Sequence, residues 1–472
     1  MISPWSLAFK RFPRQGSKVG PGGYNPGVTR SALALILVTV AAVLAAGAPT
    51  PVLGQTKASD AVVAATLDNG LRVLLLEDHR SPIVSLQVWY RVGSRNEHRG
   101  ATGIAHFLEH LMFRGTPTYG PGQYAKIVER NGGQNNAFTM QDVTSYYVNI
   151  AADRLDLVLE LEADRMSHLT LDPKIIAAER EVVIEERRTR TEDDPSGFLG
   201  EEVGALAFHA HPYGQPIIGW MVDLTRITPE EIQAFYRTYY SPGNAIVVAV
   251  GDFKAAEVMA KIKTTFGKNP KGAPAPPVLA IEPPQNGERR VLVRRDAQLP
   301  IVYLGYLVPN QKSADAPALE VLSVILSGGR SSRLYRRLIH ERQLALEAGG
   351  DYSYFSLDPN LFWFWATPLP GQTAETLEKE LLGEMDQLKR QPVTAEELTR
   401  AKNQIESSYV FQDDSIHTRG SLLARFELIG GYALRDGFLD RIRAVTPADV
   451  QRVAKLYFED DKKNVGTLLP KP

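Results

Sequence analysis

One strand, turn and strand pattern occurs twice in this chain. LRVLLLEDHRSPIVSLQVWYRV (71–92) aligns with RRVLVRRDAQLPIVYLGYLVPN (289–310), Arg72 on Arg290 and Pro82 on Pro300, at a common offset of 218. Between the two copies runs GKNPKGAPAPPVLAIEPPQNGER (267–289), whose Pro and Gly content suits an extended linker rather than core. A repeat this long with a linker at its midpoint restricts the chain to a tandem architecture. The expected organisation is a separate N-terminal segment (1–54), a first domain (55–266), the linker (267–289) and a second, homologous domain (290–472).

Within each copy the β-branched and aromatic runs read as strands, and in the first copy the turn-forming DHRSP suggests that 71–77 and 83–92 pair as an antiparallel hairpin. Amphipathic stretches near 103–114, 121–131, 153–168, 173–192 and 228–240 read as helices, while TSYYVNIAA and AIVVAVGDF read as strands. The fold class is therefore α+β, two tandem domains each with a mainly antiparallel sheet flanked by helices.

The first 54 residues carry five basic residues and no acidic one, with an uncharged apolar run, SALALILVTVAAVLAAGA, at 31–48. This is the pattern of an export signal, and at 18 residues the run is also just long enough for an uncleaved membrane anchor. Either reading puts the body outside the cytoplasm, in the periplasm or its equivalent, with membrane contact only if the segment is retained. The remainder has 48 basic against 54 acidic residues, a formal charge of −6 that disfavours nucleic-acid binding. With no cysteine, thiolate metal sites and disulfides are excluded, and any metal must be held by His and carboxylates.

The chemistry-bearing pattern is His106, Glu109 and His110 in GIAHFLEHLMFRGT. At about 100° per residue the two imidazoles lie roughly 40° apart on one helix face, so both can reach one ion. Two neutral imidazoles and one carboxylate suit zinc and leave a position for water, from which Glu109 can take a proton. Chance supplies about 0.02 such patterns in a chain of this composition, and the apolar neighbours Ile104, Phe107, Leu108 and Leu111 indicate a packed helix where idle polar groups are costly.

The His-x-x-Glu-His order, together with GSRNE (93–97), NGGQNNAFTMQDVTSYY (131–147), AEREVVIEERR (178–188), HPYGQPIIG (211–219) and YYSPGNAIVVAVGD (239–252), resembles the pitrilysin/insulinase family of zinc peptidases, in its bacterial half-length, mitochondrial-processing-peptidase-like form. The resemblance implies one Zn2+ per chain, with Glu186, 76 positions beyond His110, as third ligand and Glu179 as the carboxylate that orients the site. Glu185 is the nearest rival for the ligand. It further implies that Asn136, Ala137 and Phe138 receive a peptide substrate as an added strand, that the fold is half of a clamshell, and that His209 and His211 are not ligands. His79 and His98 are expected to be exposed.

Single-chain or self-sufficient members of the resembled family carry an Arg and a Tyr in their second half. Here Ile339 and Leu346 stand at those positions, and the 218 offset takes His106, Glu109 and His110 to Val324, Ser327 and Gly328. Arg336, Arg337 and Tyr335 are the nearby substitutes. The expectation is a zinc endopeptidase acting on extended peptides, completed by a homologous subunit that carries the Arg/Tyr pair, with a homodimer as the alternative assembly. The rival functions are a non-catalytic scaffold subunit and a maturation peptidase dedicated to one secreted peptide.

Overall fold

The computed structural model describes residues 61–472, so the N-terminal export or anchor segment lies outside the described residues. Among the described residues no helix is long and apolar enough to cross a membrane.

Six strands form the first sheet: β1 (Val63–Thr66), β2 (Arg72–Glu77), β3 (Ile83–Tyr90), β4 (Gln134–Thr139), β5 (Thr144–Ala151) and β6 (Ala245–Gly251), in the order β1-β2-β6-β3-β5-β4. Five form the second: β7 (Arg289–Arg295), β8 (Ile301–Val308), β9 (Ala345–Tyr352), β10 (Asn360–Pro368) and β11 (Lys463–Pro470), in the order β7-β11-β8-β10-β9. Leaving out β1, the two orders are the same strand for strand. Each sheet contains one parallel pair, β2 with β6 and β7 with β11, and is otherwise antiparallel.

The expected hairpin of 71–77 with 83–92 does not form, because β6 lies between β2 and β3. The reason is burial. All seven residues of β6, AIVVAVG, are buried, and such a run belongs at the centre of a sheet covered on both faces. The five residues 78–82 need span only two inter-strand spacings, about 10 Å. The same displacement recurs in the second sheet, where β11 separates β7 from β8.

Helices α1 (Ile104–Leu111), α2 (Gln123–Arg130), α3 (Leu155–His168) and α4 (Pro173–Arg187) follow the expected positions, and α5 spans Pro195–Ala207. Alternate residues of the first sheet, among them Val73, Leu75, Val84, Leu86 and Val88, pack with α1, α3 and α4 in one core. The opposite face, with Leu74, Leu76, Trp89, Ile246, Val248 and Val250, is covered by Leu423 and Ala424 of the Ile416–Ile429 helix, which comes from the second half. Reciprocally, Leu199 and Val203 of α5, from the first half, cover Val293, Ile301, Tyr303 and Leu468 of the second sheet. Each half thus lends a helix to the other's outer face. At these seams Arg72 pairs with Glu427 at 2.8 Å, and Gln87 Nε2 donates to the His417 carbonyl at 2.8 Å.

The linker has no helix or strand between 270 and 286 and is pinned at Glu282, whose carboxylate accepts the backbone N–H groups of His209, Ala210 and His211.

Candidate metal centre

Helix α1 begins at Gly103, whose φ of +87° is left-handed and whose missing side chain cannot cap the helix. Glu97 does so from a distance: its carboxylate oxygens accept the N–H groups of Gly103 and Ala105, each at 2.8 Å. Burial pushes the Glu97 carboxyl up, against the pull of those two donors. Gly103 also packs backbone to backbone on Gly219 (φ +86°), where a Cβ on Gly103 would lie 2.5 Å from the Ile218 carbonyl oxygen. Two glycines from separate sequence motifs are therefore one close contact, and Asp223 fastens it by accepting from Thr102 Oγ1 at 2.6 Å.

The apolar side of α1, Ile104, Phe107, Leu108 and Leu111, enters the core. This turns His106, Glu109 and His110 toward α4 and β4. The rings of His106 and His110 lie 4.8 Å apart between centroids. Glu186 Oε2 stands 3.1 Å from His110 Nε2 and 3.9 Å from His106 Nε2, and one ligand atom from each of the three residues lies within 4.8 Å of the others. Three donors about 2.0–2.2 Å from one tetrahedral ion sit roughly 3.3–3.5 Å apart, so this set of two imidazoles and a carboxylate fits zinc. Glu185 points away; it is exposed and pairs with Arg188 at 3.1 Å.

Glu179, almost fully buried, sits behind His110. Its Oε1 accepts from Nδ1 at 2.9 Å, which leaves Nε2 facing Glu186, and its Oε2 pairs with Arg114. This fixes which ring nitrogen is offered to a cation. Burial works against an imidazolium at His110, yet its bonds to Glu179 and Glu186 outweigh that and push it up to about 9. Burial likewise resists ionisation of Glu186, but the His110 bond and the charges of His106 and Arg190 hold it down to about 2.

Glu109 is not among the converging donors. Its Oε2 accepts from Thr139 Oγ1 of β4 at 2.6 Å, and burial raises its pKa against that hydrogen bond. The sequence reading missed Thr139, which has no motif signature beyond lying on the strand beside α1.

Among the described residues, strand β4 lies at the edge of its sheet with β5 as its one neighbour, and its Thr139 reaches Glu109. Asn136, Ala137 and Phe138 lie along it. Ala137 is buried, Phe138 packs edge-on against Trp89 at 5.4 Å, and the Ala137 N–H is held by Asn136 Oδ1 at 2.9 Å. An added strand has to displace that side-chain cap. Four of the other histidines, those weighed from the sequence, stand apart from the cluster: His211 Nε2 bonds Asp358 at 3.1 Å, His209 and His98 are exposed, and His79 bridges Glu77 and Asp252 at the surface. In the second half Arg336 pairs with Glu341 at 3.1 Å, Arg337 with Glu384 at 2.5 Å, and Leu346 is exposed on β9.

Residues 72–220 match the family described as insulinase (peptidase family M16), and residues 226–405 match the peptidase M16 inactive domain. The zinc protease PqqE of Helicobacter pylori is 36% identical over 413 residues, covering 86% of this chain and 92% of the relative. An uncharacterised zinc protease of Mycobacterium tuberculosis is 32% identical over 393 residues, 83% and 89% of the two chains. Among solved structures, a protease from H. pylori superposes with a TM-score of 0.85 at 34% identity, covering 87% of this chain and all of the other. Two more share the fold at lower identity: a peptidase M16 inactive domain from Pseudomonas fluorescens (TM-score 0.80, 19%, 87% of this chain and 98% of that one), and the periplasmic protease PqqL of Escherichia coli (0.70, 20%, 86% of this chain and 47% of that one). The repeated half-fold, the His-His-Glu centre on its first copy and these relatives converge on one conclusion: the chain belongs to the insulinase family of peptidases, M16.

Proposed function

We propose that this chain is the metal-bearing subunit of a zinc endopeptidase that hydrolyses extended peptides or unfolded segments outside the cytoplasm. The observation that carries the reading is the meeting of three donors, His106, His110 and Glu186, with a fourth group, Glu109, kept off the metal cluster and hydrogen-bonded to an open sheet edge. Zinc held by the three donors supplies Lewis acidity and lowers the pKa of a water towards about 7. Glu109 takes the proton that the attacking water sheds and returns it to the departing amine nitrogen, a task favoured by the upward shift that burial gives it. Asn136, Ala137 and Phe138 bind the peptide backbone as an added strand, which selects extended segments over folded ones. Export is supported by the apolar run at 31–48 after a basic lead.

The missing Arg/Tyr pair supports completion by a homologous subunit that presents it to the tetrahedral oxyanion. The test is hydrolysis of quenched-fluorescence peptides by the chain alone and mixed with such a partner, with Glu109→Gln as control. Activity that needs the partner and vanishes in the control is the expected result. Full activity of the chain alone overturns the split-site reading, and no hydrolysis in either setting by zinc-loaded protein favours the scaffold role.

A further inference from the structure

The run EERRTR (185–190) carries three arginines, and each has a different partner. Arg187 is buried against Glu201 at 2.8 Å, Arg188 pairs with the exposed Glu185, and Arg190 Nη2 donates to Glu186 Oε1 at 2.8 Å. Glu186 therefore has its two oxygens divided: Oε1 on Arg190 and Oε2 on the imidazole side. An ion pair four residues apart on a solvated helix face contributes little. This pair differs because its carboxylate also faces two imidazoles, and because the backbone that carries Arg190 is clamped.

Residues Arg188–Glu192 form a π-helical turn after α4, packed against α5. A Cβ on Gly197 of α5 would lie 2.2 Å from the Arg190 carbonyl oxygen, so only glycine permits this approach. Thr191 is buried, and the Glu192 carbonyl accepts from Arg295 of β7. Arg190 is thus a half-exposed side chain on a fixed base, and its charge is felt by Glu109 as well as Glu186.

We infer that Arg190 is a positioning residue for the metal ligand: by occupying Oε1 it makes Glu186 a one-oxygen ligand through Oε2 and keeps the carboxylate from closing over the position that water needs. This deepens the zinc reading and rests on it. The sign of the effect separates orientation from charge. Removing a cation beside a metal site should, by charge alone, strengthen binding of Zn2+, whereas removing the group that orients a ligand should weaken it, typically by about 10–100-fold.

The experiment is titration of the metal-free full chain with Zn2+ against a competing chelator, for the wild type, Arg190→Gln and Arg190→Lys, together with the visible spectrum of each Co2+-loaded protein. The expected result is affinity about tenfold or more lower in Arg190→Gln, partial rescue in Arg190→Lys, and a weaker d–d absorption in Arg190→Gln as Glu186 becomes a two-oxygen ligand. Thermal unfolding of the metal-free forms should be the same. Equal or tighter Zn2+ binding by Arg190→Gln with an unchanged Co2+ spectrum overturns the inference while leaving the zinc reading intact; failure of the wild type to bind Zn2+ overturns both.

Discussion

Helix α1 and the Ala316–Ser327 helix occupy the same place in the two copies of one fold, each following the strand (β3 or β8) that lies next to the last strand of its sheet. In the first copy, Glu109 on the helix accepts a hydrogen bond from Thr139 on edge strand β4. At the same offset of 218, Ser327 accepts the N–H of Gly350 on edge strand β9, at 2.6 Å. The joint between helix and edge strand is kept while its chemistry is exchanged. In one half it presents a carboxylate beside a three-donor cluster; in the other it is a neutral brace, with Val324 and Gly328 where the imidazoles would be. The difference teaches that the joint serves the fold in both halves, and that the candidate metal centre adds three donors, His106, His110 and Glu186, and the carboxylate of Glu109 to a geometry the fold builds in both.

The largest expected effect separates the two joints directly. Glu109→Gln should cut peptide hydrolysis by about 10²–10⁴-fold with zinc retained, whereas Ser327→Ala should leave zinc content and hydrolysis within about twofold. Loss of zinc on changing Ser327, measured by metal analysis of the purified variant, would break the comparison. Next comes the exchange of helices between halves. Leu423 and Leu199 are fully buried on opposite sheets, so Leu423→Ala and Leu199→Ala should each destabilise by about 2–5 kcal/mol. Because each leucine clasps the other half, both variants should still unfold in a single calorimetric transition; two separated transitions would show that the halves fold independently.

The smallest effect concerns acid. In the second half Arg333 holds Glu397 through two hydrogen bonds, 2.7 and 2.9 Å. Burial opposes ionisation there, but Arg333 and the Thr394 N–H outweigh it and hold the carboxyl down to about 2. Since the folded pKa is below the unfolded one of about 4.3, this stabilisation is complete above that value and is lost as pH falls from about 4.3 towards 2. Arg333→Gln should remove about 1 kcal/mol at pH 6 and flatten the acid loss, read as melting temperature against pH from 3 to 6. An unchanged acid slope would exclude this pair as the source.

Much of the site was legible because its chemistry is local. His106, Glu109 and His110 share one helix turn, and the family resemblance located Glu186 and Glu179 on a second helix. What escaped the sequence is non-local. The hairpin of β2 and β3 looked sound by short-range turn signals, but β6, more than 150 residues on, outcompetes it because its wholly apolar run needs the sheet centre. The helix swap was invisible for a related reason: amphipathicity reveals that a face is buried, not which half buries it. Thr139 and Arg190 are ordinary polar residues until α1, α4 and β4 meet, and Gly103 and Gly219 stood in separate motifs with nothing in their spacing to show that they touch.

The central claim is that one half holds a metal and its counterpart does not. Zinc per chain, determined by elemental analysis of the purified protein and located by anomalous diffraction at the zinc edge, tests it most directly. The account expects one zinc among His106, His110 and Glu186, none near Ser327, and loss of that zinc in His110→Ala. A zinc bound elsewhere, two zincs per chain, or full occupancy in His110→Ala would contradict it.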